Sequence, residues 1–401
     1  MANFTFTGDI FIPKENFYKE SSYKDKKTGK DIASRRISFS VKESVANSQF
    51  VSLFASESPN GINAYDKDGE KITIPWNNRF DDDVIEMVSS MGKHYVDLSD
   101  ADQKAELKEA IESNDFTDVA EKYGVTDYKT AKELYDALRE ERKIFISTYD
   151  MVEYLAENLP KYKGKITVTG RLRKRYYEGK YVDNFDIGSV YSAPRSAKNK
   201  LSIKAELVFN KDCVDKSRLK TEGKIYVSAY TSEYINSTEQ NKYVPFDVVF
   251  DTSVYKHDNE KHMKLLAFKK SYIDIPNKTY QRMMFELRLV NGAEEVEFDE
   301  SCLTNAQKTR IELGMKTLED FRPRNKVFGD RVHLYKIFEP SLNGKYADGM
   351  EDTELTPAEF EEQIYNPERK KREAEAEIEK ASKKSTEAKV EVEEDDEDDL
   401  F

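Results

Sequence analysis

Residues 164–191 read GKITVTGRLRKRYYEGKYVDNFDIGSVY, and the organisation of the chain follows from this stretch outward. Ile166, Val168 and Gly170 alternate with Thr167 and Thr169, the two-residue period of a half-buried strand. A second run, residues 181–191, carries Val182, Phe185 and Ile187 and reads as its partner strand. Between them, residues 171–180 read as a hairpin tip with five basic side chains, one acid and the adjacent Tyr176 and Tyr177. Basic charge tracks a phosphate backbone, and aromatic rings stack on unpaired bases. A merely solvated surface hairpin would carry similar charge, so the reading needs a second stretch to support it.

That stretch is residues 14–36, with 8 basic and 4 acidic side chains plus Phe17, Tyr18 and Tyr23. A strand at residues 4–12 precedes it and ends at Pro13. Lys26, Lys27 and Lys30 surround a turn at Gly29, and Arg35 and Arg36 open the next strand. Strands at 36–41 and 50–54 follow. A first strand, a long basic loop and two further strands lead through residues 81–142 to a helix at 149–159. The fold class expected is mainly β with a helical insert.

The order of helix, Lys163-Gly164 step, Ile166-Thr167-Val168-Thr169-Gly170-Arg171-Leu172 strand, basic hairpin and closing strand resembles the bacterial single-stranded DNA-binding protein family. The resemblance spans roughly residues 1–191, with an insertion. It implies an oligonucleotide-binding (OB-fold) barrel that grips DNA with the loops between strands one and two and between strands four and five. On this reading phosphates meet Lys26, Lys27, Lys30, Arg35, Arg36, Arg171, Arg173, Lys174 and Arg175. Bases stack on Tyr18, Tyr23, Tyr176 and Tyr177. No cofactor and no catalysis are implied.

The same family resemblance extends to Asp395, Asp396, Glu397, Asp398, Asp399, Leu400 and Phe401, an acidic run closed by an apolar pair. In that family the terminal Phe enters a pocket on a replication, recombination or repair protein. Here Leu400 stands where the common bacterial ending has Pro. That departure, the insert and the extra length make the chain look more like a phage or mobile-element form acting in a bacterial cytoplasm than like a host tetramer.

Charge is segregated. The chain carries a net −13, and residues 348–401 alone hold 21 acids and 8 bases. Residues 81–141 hold 18 acids and 7 bases, so the remaining body is basic. The acidic insert, about residues 81–142, shows helical spacing and reads as a lid or a partner surface. Residues 192–200 read as a linker, and 201–340 as a second β-rich domain. Its order of strands and a short helix repeats the first, which suggests a second barrel. Residues 341–401 read as a disordered linker and tail, with one helical piece at 357–365.

Other functions would rest on particular residues. Asp81, Asp82 and Asp83 suit a metal-dependent nuclease, but at the head of an apolar run they suit a helix N-terminus better. His257 and His262 lack metal-ligand spacing, and Cys213 and Cys302 form no CxxC pair, so reduced cytoplasmic thiols are expected. No phosphate-binding loop or nucleophile motif occurs. A recombination mediator or annealing protein would share the basic, aromatic footprint. A virion structural protein would not need the tail.

Overall fold

The computed structural model describes residues 2–25, 28–235, 238, 240–276, 278–296, 300, 303–322 and 327–367. The chain is mainly β, with one large mixed sheet. Its first half contributes strands β1 (Ala2–Phe11), β2 (Asp31–Lys42), β3 (Ser48–Ser56), β4 (Lys165–Tyr177) and β5 (Lys180–Ala193). β1 pairs with β2, β2 with β3 and β5 with β4, all antiparallel, and β4 returns to pair with β1. The circuit is closed by one parallel contact between β3 and β5, at Ser52 and Asp186.

Alternation explains how these strands share a core. Phe4 and Phe6 of β1 and Phe185 of β5 are buried, with ring centroids 4.6–5.5 Å apart. Each such Phe contributes roughly 1.5–3 kcal/mol by leaving water. Gly170 is required by this packing. A Cβ there would collide with the Asp186 carbonyl and would stand 2.8 Å from the Phe4 ring. Helix α1 (Thr148–Asn158) lies between β3 and β4 in the chain. The Ser147 side chain accepts from the Tyr149 N–H at its N-terminus, and Met151, Val152 and Leu155 are buried.

The second half repeats the order. Strands β6 (Lys200–Phe209), β7 (Lys224–Ile235), β8 (Gln240–Asp251), β9 (Gln281–Val296) and β10 (Val327–Pro340) form the second set. They pair as β6–β7–β8–β10–β9 and back to β6. Again the third and fifth strands of the set meet in parallel, at Val249 and Lys336. Helix α2 (Glu260–Ser271) again falls between the third and fourth strands of the set. β1 and β6 pair antiparallel from Ala2 opposite Ala205 to Thr7 opposite Lys200. One hydrophobic core runs through both halves.

Residues 57–146 form the insert. It holds a small hairpin, Ile62–Tyr65 with Lys71–Ile74, and helices Ala101–Ser113, Thr117–Tyr123 and Tyr128–Glu140 around Leu107, Val119 and Ala131. No helix among the described residues is long and apolar enough to cross a membrane.

Three expectations are corrected. Residues 18–24 and 31–36 are not part of a loop but pair as the arms of a hairpin, with Tyr18 opposite Ile37 and Lys24 opposite Asp31. Residues 171–177 are not a tip but the last part of β4, each paired across to β5. The turn is only Glu178-Gly179, both with positive φ (47° and 82°), as a two-residue hairpin turn demands. The disorder expected from residue 341 does not apply to residues 341–367. Glu351–Asp352 pairs with β9, and helix Pro357–Gln363 buries Phe360 between Tyr280 at 3.7 Å and Tyr243 at 4.5 Å. A single aromatic anchor, Phe360, docks this short helix on the second half. Tyr365 then donates its N–H to the Tyr243 carbonyl, and its own carbonyl accepts from the Tyr181 hydroxyl at 2.7 Å. The described chain thus ends beside the β4–β5 hairpin.

Candidate nucleic-acid interface

The strand period sends residues 171–177 to opposite faces. Arg171, Arg173, Arg175 and Tyr177 face outward, while Leu172, Lys174 and Tyr176 face the other way. Cross-strand register then builds a patch on the outer face of the first circuit. Arg171 lies opposite Asp186, and Arg173 opposite Asn184. Asp186 lies beside Ser52 of β3, and two residues along, Phe54 lies opposite Arg36 of β2.

These residues line one open groove of about 920 Å³, with Lys93, His94 and Met91 of the insert along its rim. Its lining includes Arg36, Lys93, Arg171, Arg173 and Arg175 against a single carboxylate, Asp186. That carboxylate lies 3.1 Å from Arg173 and 3.9 Å from Arg175, and it holds their forks over the groove. Burial lowers the Lys93 pKa, and the like charge of Lys67 lowers it further, with Glu86 opposing. His94 is held by the Gly188 carbonyl, 3.0 Å from its Nδ1, and burial pushes its pKa down. It is therefore neutral near pH 7, and the groove's positive charge comes from arginine and lysine.

Phe54 gives the groove an aromatic surface. It is 58% exposed, with Phe50 on the same face of β3 at 47%. A large apolar ring left in water between arginines is suited to stacking on an unpaired base. Sequence reasoning missed Phe50, Phe54 and Lys93. The signal for the first two was present, because they fall in the polar phase of β3, out of step with buried Val51, Leu53 and Ala55.

The structure separates the residues expected from the sequence. Arg36, Arg171, Arg173 and Arg175 meet in the groove. Tyr177 continues their phase at the hairpin end and is 63% exposed. Lys174 is not free for phosphate. Its ammonium lies 2.6 Å from Asp183, with both side chains largely buried, and over the rings of Phe246 and Tyr335 from the second half. Asp183 also accepts from Tyr335 and lies 3.0 Å from His333 Nε2. Burial is the largest influence and raises the Asp183 pKa. The His333 bond, the Lys174 charge and bond and the Tyr335 bond together outweigh it and hold the carboxyl at about 2. Tyr176 packs edge-on against Tyr181 on that same inward side, so it is no stacking platform.

Arg35 is likewise committed. It stacks 4.0 Å from the Tyr149 ring centre and pairs with Glu153 at 2.9 Å and Glu20 at 3.4 Å. Tyr18 donates to Glu20 at 2.5 Å, and its pKa rises to about 12, first through burial and then through that bond. Tyr23 is exposed, with its hydroxyl 3.3 Å from Ser56, and Lys30 is exposed near the hairpin turn at Gly29. Neither lines the groove. Lys26, Lys27 and residues 395–401 lie outside the described residues. Asp82 and Asp83 occupy the first turn of helix Asp82–Met87 with Asp81 at its N-cap, and no group of three or more metal-ligating side chains occurs among the described residues.

No family model, no curated protein and no solved structure matches this chain.

Proposed function

We propose that the chain binds and protects single-stranded DNA, with the groove on the first circuit as its interface. The observation that carries this reading is the gathering of Arg36, Lys93, Arg171, Arg173 and Arg175 around exposed Phe54 on one sheet face. Five lining cations outnumber the lining carboxylate Asp186 and the nearby Glu233, whose charge acts on Arg173 and Arg171, and that excess suits a phosphate backbone, while a solvent-facing ring suits bases that are not paired. The strand order, the parallel contact of third and fifth strands and the helix before the fourth strand support reading this circuit as an oligonucleotide-binding barrel. In that barrel the face of strands two and three and the hairpin of strands four and five hold the oligonucleotide. The groove draws on the same elements. The second circuit, with its identical order, is read as a second barrel.

The proposed role is binding without catalysis, in replication, recombination and repair in a bacterial cytoplasm. The acidic tip, residues 395–401, is proposed to recruit a partner protein through Phe401, as the family resemblance implies. The test is a titration of fluorescent oligo-dT and of a duplex of equal length at several salt concentrations. Much tighter binding to the single strand, weakening linearly in log salt, is expected. Equal affinity for both forms would sink the reading.

A further inference from the structure

The groove does not stop at the first circuit. Phe4 and Phe6 of β1 and Leu201 and Ile203 of β6 all point into the shared core, so Asn3, Thr5 and Thr7 stand on the same opposite face as Lys200, Ser202 and Lys204. Asn3, Thr5 and Thr169 line the groove. Two residues further along the same strands, Thr7 and Thr167 touch through their hydroxyls at 3.0 Å and line a second cavity of about 740 Å³. Its far side comes from the linker and the second half, with Lys198, Lys200 and Arg288. Arg288 reaches this face because it pairs with Ser202, directly across from Thr5.

The three cations here are in no salt bridge among the described residues, unlike Lys174 and Arg35. The buried Nη1 of Arg288 has no hydrogen-bond acceptor among the described residues, while the guanidinium lies 4.7 Å from the Phe338 ring centre. An arginine N–H held away from water without an acceptor is costly, and an incoming phosphate oxygen would satisfy it. Lys198 and Lys200 are exposed and in no ion pair among the described residues. The loop carrying Lys198 is pinned, since Lys165 Nζ donates to the carbonyls of Arg195 at 2.9 Å and Ala197 at 2.8 Å. One carboxylate, Glu43, lines the cavity. Burial pushes its pKa up, with the Asn47 bond and the Arg288 charge opposing.

We infer that this cavity is a second phosphate-binding station, and that one single strand runs from the arginine groove across the sheet joining the circuits to Lys198, Lys200 and Arg288. The inference rests on the groove being the nucleic-acid interface. The path along β4 alone, from Arg175 to Lys165, is about 33 Å at roughly 3.3 Å per residue. It therefore asks for a longer oligonucleotide than the groove alone.

The test uses the full chain and two oligo-dT probes, of about 6 and about 30 nucleotides, chosen around the roughly 4–16 nucleotides covered by one barrel. Lys198→Ala with Lys200→Ala removes two exposed charges and leaves the fold intact. Arg288→Gln is a separate variant. For the longer probe, the double variant should lower the slope of log affinity against log salt by about 1.4, at about 0.7 per phosphate contact. For the shorter probe the slope should not change. Arg288→Gln should weaken the longer probe alone. An unchanged slope for the longer probe, or an equal loss for both probes, overturns the inference while leaving the groove in place. Failure of the unaltered chain to bind either probe overturns both.

Discussion

Arg173, Lys174 and Arg175 are consecutive, yet the structure gives them different work, and substitution separates the two roles. Replacing Arg171, Arg173 and Arg175 with Ala removes three charges from the groove. If each meets one phosphate, the salt slope for oligo-dT falls by about 2, at about 0.7 per contact. Between about 50 and 200 mM salt the unaltered chain would then lose about 20-fold more affinity than the variant. Stability should change little, because these side chains sit at the surface and the pairing of Arg173 and Arg175 with Asp186 is screened. Lys174→Ala should do the reverse. It strips a partner from Asp183, whose side chain is only 14% exposed beside a Lys174 at 11%. Orphaning a buried charge costs roughly 3–5 kcal/mol. Asp183 keeps Tyr335 and His333, so about 2–3 kcal/mol is expected here. Fluorescence anisotropy at several salt concentrations reads the first effect, and urea unfolding reads the second. A Lys174→Ala protein of unchanged stability with the reduced slope of the triple variant would refute the assignment of faces.

Phe54→Ala should weaken oligo-dT binding by about 1–3 kcal/mol, the usual range for one stacked base, without altering the salt slope; calorimetric titration distinguishes this from a charge effect. Asp183 sits at about 2 in the folded chain, below an ordinary carboxyl near 3.9. Its depressed pKa adds stability that is full above about pH 5 and disappears as pH falls through about 4 toward 2. The stability gap between the unaltered chain and Asp183→Asn should therefore shrink over that window in acid unfolding curves. Phe360→Ala empties the space between Tyr243 and Tyr280 and should cost roughly 3–5 kcal/mol, measured by urea unfolding. Deleting Phe401 alone should leave DNA affinity nearly untouched and abolish capture of a replication or repair partner. Loss of DNA affinity on that deletion would contradict the proposed division between body and tip.

Much of the architecture was legible because it rests on local pattern. The alternation of residues 166–172, the helix before them and the strands around Phe4, Ile37 and Val51 are all where the sequence put them. The repeat of strand order in the second half was also readable without any repeat in sequence. Facing was harder. Composition counted Lys174 with its arginine neighbours, whereas the two-residue period turns it toward Asp183 and a second half that no local signal places nearby. Arg35 was lost in the same way, to Glu153, which lies 118 residues away in sequence. Lys93 joins the groove from the acidic insert, which the sequence marks as a lid or a partner surface. Phe360 shows the opposite failing, since one buried ring inside a charged segment leaves no periodic trace.

Photo-crosslinking tests the interface most directly. Oligo-dT carrying 5-iodouracil is irradiated with the full chain, and the adducts are mapped by peptide mass spectrometry. Adducts should concentrate at Phe54, with Phe50 and Tyr177 on the same strand faces as further sites, and should fall when the Arg171, Arg173 and Arg175 variant is used at moderate salt. Adducts confined to the insert helices or to the far side of the second circuit, with Phe54 unmodified, would contradict the assignment of this groove as the single-strand interface.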